Sequence, residues 1–126
     1  MQYEQKIELT LPMPISVNKA YAWNGRIRYK SSDYRRFEQE VARVMVKLPK
    51  YTLTEDKWLH VTYYFYFPIY NKNGSHKKKD LWNYEKCLTD CLTHYIIWFK
   101  DENIRILQME KIDDEVQRVV IVITEL

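Results

Sequence analysis

The sequence predicts an α+β fold, a mixed β-sheet with two helices on one face. Three observations lead there. Strand-like and helix-like segments intermix in the order strand, small hairpin, helix, strand, helix, strand, strand. Residues 58–67, WLHVTYYFYF, are apolar or aromatic at nearly every position, which marks a central strand with both faces packed. The chain has 126 residues, 46% of them hydrophobic, so one domain over 1–126 is expected, with enough apolar material for a sizeable core.

The elements follow in order. Residues 6–11 alternate Ile7, Leu9 and Leu11 against Lys6, Glu8 and Thr10, the pattern of a half-buried strand. Pro12 and Pro14 end it and stiffen an extended segment, PMPISVN. Residues 20–30 read as a hairpin with Asn24-Gly25 as a type I′ turn pair. Alternation places Arg26, Arg28 and Lys30 on one face, with Tyr21 and Trp23 on the opposing arm. Ser32 or Asp33 is expected to cap the next helix. Tyr34, Phe37, Val41 and Leu48 mark its apolar side, and Pro49 stops it. Arg35, Arg36, Glu38, Glu40, Arg43 and Lys47 form its expected solvated side.

After the central strand, residues 69–79 form a polar loop with Asn73-Gly74 at its turn and a basic run, Lys77, Lys78 and Lys79. Residues 80–101, DLWNYEKCLTDCLTHYIIWFKD, open with a second helix. On a helical wheel Asn83, Lys86, Asp90 and His94 share one arc, with Asp80 at its start. Leu81, Tyr84, Leu88, Cys91, Leu92 and Tyr95 share another, which suits a core. Residues 104–111 and 118–124 are the last two strands, joined through Asp113, Asp114 and Glu115 as a hairpin turn.

Composition excludes several functions. Two glycines cannot build glycine-rich phosphate loops or dinucleotide fingerprints. Cys87 and Cys91 stand one helical turn apart, where a disulfide is disfavoured, and no further Cys or His completes a zinc site. They read as buried thiols of a reducing compartment. No apolar run approaches membrane-spanning length, and the N-terminal MQYEQKIELTLP lacks the apolar core of a signal peptide. A cytoplasmic protein without membrane contact is expected. A net charge of +3 leaves any polyanion site to local clustering. The hairpin, with Arg26, Arg28 and Lys30 beside Tyr21 and Trp23, reads equally as an exposed ribbon made soluble by charge or as one that tracks a nucleic-acid backbone, and the basic run Lys77, Lys78 and Lys79 favours the second.

The polar arc admits two readings. Asp80, Asp90, Asp101 and Glu102 offer the hard oxygens that Mg²⁺ takes, and Lys86 suits a phosphate. From spacing alone, a helix cap at Asp80 with surface Asp and Lys beyond it is the simpler account.

A resemblance shifts that balance. The chain resembles the RusA family of Holliday junction resolvases, small endonucleases often carried by phages, over nearly its whole length. The opening LTLPMPISVNKAY, with Asn18, is similar to the family's N-terminal strand and proline-rich segment. RIRYKSSDYRRF resembles the approach to its first helix. Residues 80–90 are similar to the family motif Asp-Leu-Asp-Asn-x-x-Lys-x-x-x-Asp, matched here by Asp80, Leu81, Asn83, Lys86 and Asp90. LTHYIIWFKDENI resembles the link to a late acidic pair. The resemblance implies a homodimer that binds four-way DNA junctions in recombination and repair. Each subunit would nick one of two opposed strands with Mg²⁺. It implies Asp80, Lys86 and Asp101 as catalytic residues and Asp80 with a late acidic residue as metal carboxylates. That late residue is Asp101 in an ungapped register and falls in the pair Asp101-Glu102 after a one-residue shift, and Glu102 and Asp90 would assist. DNA contacts would fall to Asn18, Arg26, Arg28, Lys30, Lys77, Lys78, Lys79 and Asn83. Trp82 departs from the motif, standing where the second Asp would bind metal. Two outcomes stay open: a re-tuned nuclease, or a protein that binds branched DNA without cutting it.

Overall fold

A computed structural model describes residues 6–47, 57–96 and 98–126. Its strands are β1 (Lys6–Leu11), β2 (Tyr21–Asn24), β3 (Ile27–Lys30), β4 (Leu59–Phe67), β5 (Ile104–Asp113) and β6 (Arg118–Glu125). Its helices are α1 (Val17–Ala20), α2 (Ser32–Lys47) and α3 (Trp82–Tyr95), with a 3₁₀ turn at Asp101–Asn103. The fold is α+β with a mixed sheet, as the sequence predicts.

The sheet runs β1-β6-β4-β5, and β2-β3 form a separate ribbon. β4 pairs with β5 in parallel and with β6 antiparallel, so β4 is an interior strand. Its apolar run supports that place, but only one of its faces is fully buried. Leu59, Val61, Tyr63, Phe65 and Phe67 face the core, while His60, Thr62, Tyr64 and Tyr66 are half-buried. The reason is that both helices contribute to one core: Phe37 and Val41 of α2 and Leu88, Cys91 and Leu92 of α3 join the same apolar cluster. Each fully buried Leu or Phe contributes about 1.5–3 kcal/mol.

Parallel β4 and β5 require a crossover, and α3 supplies it. The expected hairpin at residues 113–115 is corrected. β5 and β6 do not pair, because β4 lies between them. The connection crosses the end of β4 instead, and the Asp114 N–H donates to the Phe67 carbonyl at 3.1 Å.

Local details differ in four further places. Ser31, not Ser32 or Asp33, caps α2: its Oγ accepts the Tyr34 N–H at 3.2 Å. The ribbon turns at Gly25-Arg26, with Asn24 paired to Ile27. Gly25 has φ 64° and Arg26 does not have a positive φ, which fits a type II′ turn opened by Gly, not I′ centred on Asn24-Gly25. The extended proline segment gives way to the short helix α1 at Val17. Glu38, expected in solvent, is 9% exposed, because Lys30 of the ribbon donates to its Oε2 at 3.0 Å and the Tyr95 hydroxyl at 3.4 Å. Leu48 and Pro49 lie outside the described residues.

Candidate active site

α3 lies beside the edge strand β5, and two adjoining clefts open between them, sharing Leu107. The first, about 420 Å³, has Glu85, Lys86, Thr89 and Asp90 on the helix side, facing Asp101, Ile104 and Leu107. The second, about 330 Å³, has Lys79, Asp80, Leu81 and Trp82 facing Leu107, Met109 and Lys111.

Helix spacing explains the arrangement. Trp82, Glu85, Lys86 and Thr89 stand at i, i+3, i+4 and i+7, one stripe along α3. Leu88, Cys91 and Leu92 turn the adjacent face into the core and so fix the rotation of the stripe. On β5, a register irregularity beside Leu59 and His60 makes Arg105 an extra residue, with Ile104 opposite Leu59 and Ile106 opposite His60. Leu107 and Met109 then pair with Val61 and Tyr63 on the core side. Asp101 returns to α3 because the link between them is anchored by Ile96 and by fully buried Phe99.

The predicted residues divide between these places. Lys86, Asp90 and Asp101 meet in the first cleft, and no ion pair among the described residues engages them. Asp80 lies in the second. Its Oδ1 accepts the Trp82 N–H at 3.0 Å, so it closes the first turn of α3 as well as facing the cleft. Asp80 and Asp101 do not share a cleft. Glu102 is exposed in the 3₁₀ turn and lines neither cleft, and Asn83, half-buried, lines neither. Trp82 is 64% exposed.

The basic segments flank α3. Lys79 folds inward, its Nζ 4.7 Å from the centre of the Phe67 ring and 5.4 Å from that of Tyr84. Burial lowers its pKa below the usual lysine range, and Lys77 and Lys19 add to the effect. Lys78 is exposed and Lys77 half-buried. In the ribbon Arg28 stacks on Tyr21 at 3.7 Å, while Trp23, paired with Arg28 on the same face, is 67% exposed. Arg26 sits in the turn, off the face that carries Arg28 and Lys30. Asn18 is exposed on α1. Cys87 and Cys91 are buried free thiols, pushed by desolvation to about 11 and about 12.

Glu85, Thr89 and Lys111 are site residues that sequence reasoning passed over. Glu85 and Thr89 carried a signal: they stand four residues apart at the border of the apolar arc. Lys111 carried none, since only the pairing of β5 with β4 decides which way it points.

Carboxylates and a lysine in an open groove, beside cationic segments, make up the apparatus of the metal-assisted nucleases as a class. The family described as Endodeoxyribonuclease RusA matches residues 11–124. The chain belongs to that family, a family of DNA endonucleases. No curated protein matches the chain significantly.

The donor set suits Mg²⁺, which is commonly held by one or two carboxylates together with waters and substrate phosphates. Glu85, Asp90 and Asp101 are donors of that kind in one cleft. Among the described residues, no three His, Cys, Asp or Glu side chains are gathered so as to hold a metal ion by themselves. The groove therefore fits an ion shared with a DNA phosphate better than one enclosed by protein.

Proposed function

We propose that the protein is a Mg²⁺-dependent, structure-selective DNA endonuclease that resolves four-way junctions by paired nicks, acting as a homodimer in recombination and repair in the cytoplasm. The observation that carries this is the meeting of Lys86, Asp90 and Asp101 in one cleft of a RusA-family chain. No helix among the described residues is long and apolar enough to cross a membrane.

In this reading Asp101, with Asp90, would hold Mg²⁺ against the scissile phosphate, and Asp80 would act from the adjoining cleft. Exposed Glu102 would help from the rim. Bound there, the ion would supply Lewis acidity and an activated water. Lys86 donates to a non-bridging phosphate oxygen and offsets the charge that builds there. Arg26, Arg28, Lys30 and the run Lys77, Lys78 and Lys79 hold the DNA backbone, and Asn18 and Asn83 hydrogen-bond to it. The test is cleavage of a synthetic four-way junction with Mg²⁺ by wild type, Asp101→Asn and Lys86→Ala. Expected is cleavage by wild type and its loss in both variants; activity unchanged in both would sink the assigned site.

A specific observation favours a second reading. Trp82, exposed in the second cleft beside Asp80 and Lys111, places an aromatic surface where the family motif has a carboxylate. A stacking residue there suits an unpaired base at a branch point. A protein that binds junctions without nicking them at any Mg²⁺ concentration would meet this second reading and not the first.

A further inference from the structure

We infer that Glu85 supplies the carboxylate that position 82 lacks, and that a buried hydroxyl relay from Tyr63 through Thr89 holds it for that task. The inference rests on the Mg²⁺-dependent reading above and deepens it.

Trp82 and Glu85 lie on the same stripe of α3, three residues or about 4.5 Å of helix rise apart. Glutamate is also longer than aspartate by one methylene. A carboxylate at 85 is therefore displaced along α3 from the cleft that position 82 lines into the adjoining one, which contains Asp101.

The hydrogen bonds give this carboxylate a fixed orientation. Thr89 Oγ1 donates to Glu85 Oε1 at 2.8 Å. The Tyr63 hydroxyl lies 2.8 Å from the same Oγ1. A threonine hydroxyl has one hydrogen. Once that hydrogen is given to Glu85, Tyr63 must be the donor to Thr89. The relay thus runs one way, from Tyr63 to Thr89 to Glu85, and ends on Oε1 of the carboxylate as acceptor. Glu85 lines the cleft with Oε1 held by Thr89, while Oε2 takes no hydrogen bond among the described residues.

A local bond between Thr89 and Glu85 alone would be ordinary helix chemistry. Tyr63 makes it more than local. It comes from β4, twenty-six residues away, and its side chain is fully buried in the core. A glutamate on a helix surface ordinarily samples many rotamers, and fixing one costs conformational entropy at the moment of binding. Here that ordering is done during folding, before the ion arrives. Thr89 is a positioning residue and Glu85 a ligand.

Mn²⁺ titration followed by the electron paramagnetic resonance signal of the free ion tests this on the whole chain, with far-UV circular dichroism to check folding. The expected results are Mn²⁺ binding by wild type, at least tenfold weaker binding by Glu85→Gln and by Asp101→Asn, severalfold weaker binding by Thr89→Val, and wild-type binding by Thr89→Ser, which keeps the hydroxyl. Glu85→Gln binding Mn²⁺ like wild type, while Asp101→Asn loses it, would overturn the inference and leave the proposed function standing. Thr89→Ser as weak as Thr89→Val would remove the relay. Wild type taking up no Mn²⁺ and cutting no junction would overturn both.

Discussion

The cleft beside α3 and the β2-β3 ribbon are both polar, but they are built in opposite ways. The cleft residues stand on elements whose other faces are buried. Glu85, Lys86, Thr89 and Asp90 share a helix with Leu88, Cys91 and Leu92, and Asp101 follows fully buried Phe99. The ribbon has much less backing: every residue of β3 is exposed, Tyr21 at the start of β2 packs against the small cluster of Ala20, Tyr34 and Cys87, and the main polar tie to the body is the Lys30–Glu38 pair. Chemistry on a phosphodiester needs reacting groups held to within a fraction of an ångström, whereas a grip on a flexible backbone tolerates adaptation. The two constructions match those two demands.

The comparison can be broken in several ways. Lys86→Ala is expected to lower junction cleavage about 10²–10³-fold, the scale of removing one preorganised donor, and Asp101→Asn at least as far. Gel-shift assays on the same variants should show junction binding largely kept; lost binding would mean that the cleft also carries the grip. Leu92→Ala is expected to cost about 2–5 kcal/mol in urea unfolding, because its side chain is fully buried on the core face of α3.

Trp23→Ala should do the reverse. Its effect on stability should stay within about 0.5 kcal/mol, while junction affinity falls by about 1–3 kcal/mol if the indole stacks on a base. A stability loss of core size would show that the ribbon is not the adaptable part. Trp82→Asp sharpens the other side: a second carboxylate beside Asp80 should raise Mg²⁺-dependent cleavage roughly tenfold, the effect of completing or supporting a ligand set.

A further, small stability effect lies at the tie itself. The hydrogen bond from Lys30 to Glu38 raises the lysine pKa above 10.5, outweighing partial burial. Its stabilisation is therefore fully present below pH 10.5 and is lost as pH rises through the folded-state value. Lys30 is 43% exposed, so solvent screening leaves less than about 1 kcal/mol. The difference in urea midpoint between wild type and Glu38→Gln should be flat through neutral pH and shrink in strong alkali.

Much of this was legible in the sequence. Period-two alternation located β1, and the apolar run located β4. The wheel separated Leu88 and Leu92 from Lys86 and Asp90. What stayed hidden was pairing. Nothing in residues 113–115 says that β4 will lie between β5 and β6, since a short polar link suits a hairpin and a crossover alike. Glu38 looked like surface because its partners, Lys30 and Tyr95, come from other elements. Glu85 and Thr89 looked like a polar margin because Tyr63 reaches them only once β4 and α3 are packed. Each of these three misses is a contact between different elements of the fold, unlike the local ones at Ser31 and Gly25-Arg26.

The Lys30–Glu38 pair also bears on the thermodynamics of docking. A cation that meets a DNA phosphate ordinarily displaces a condensed counterion, and each such exchange adds to the salt slope of binding. Lys30 already has its counter-charge in Glu38. On meeting a phosphate it exchanges one anion for another, so the slope is expected to count Arg28 and Lys78 but not Lys30. Removing the carboxylate, as in Glu38→Gln, should steepen the slope by about one unit without adding a single contact.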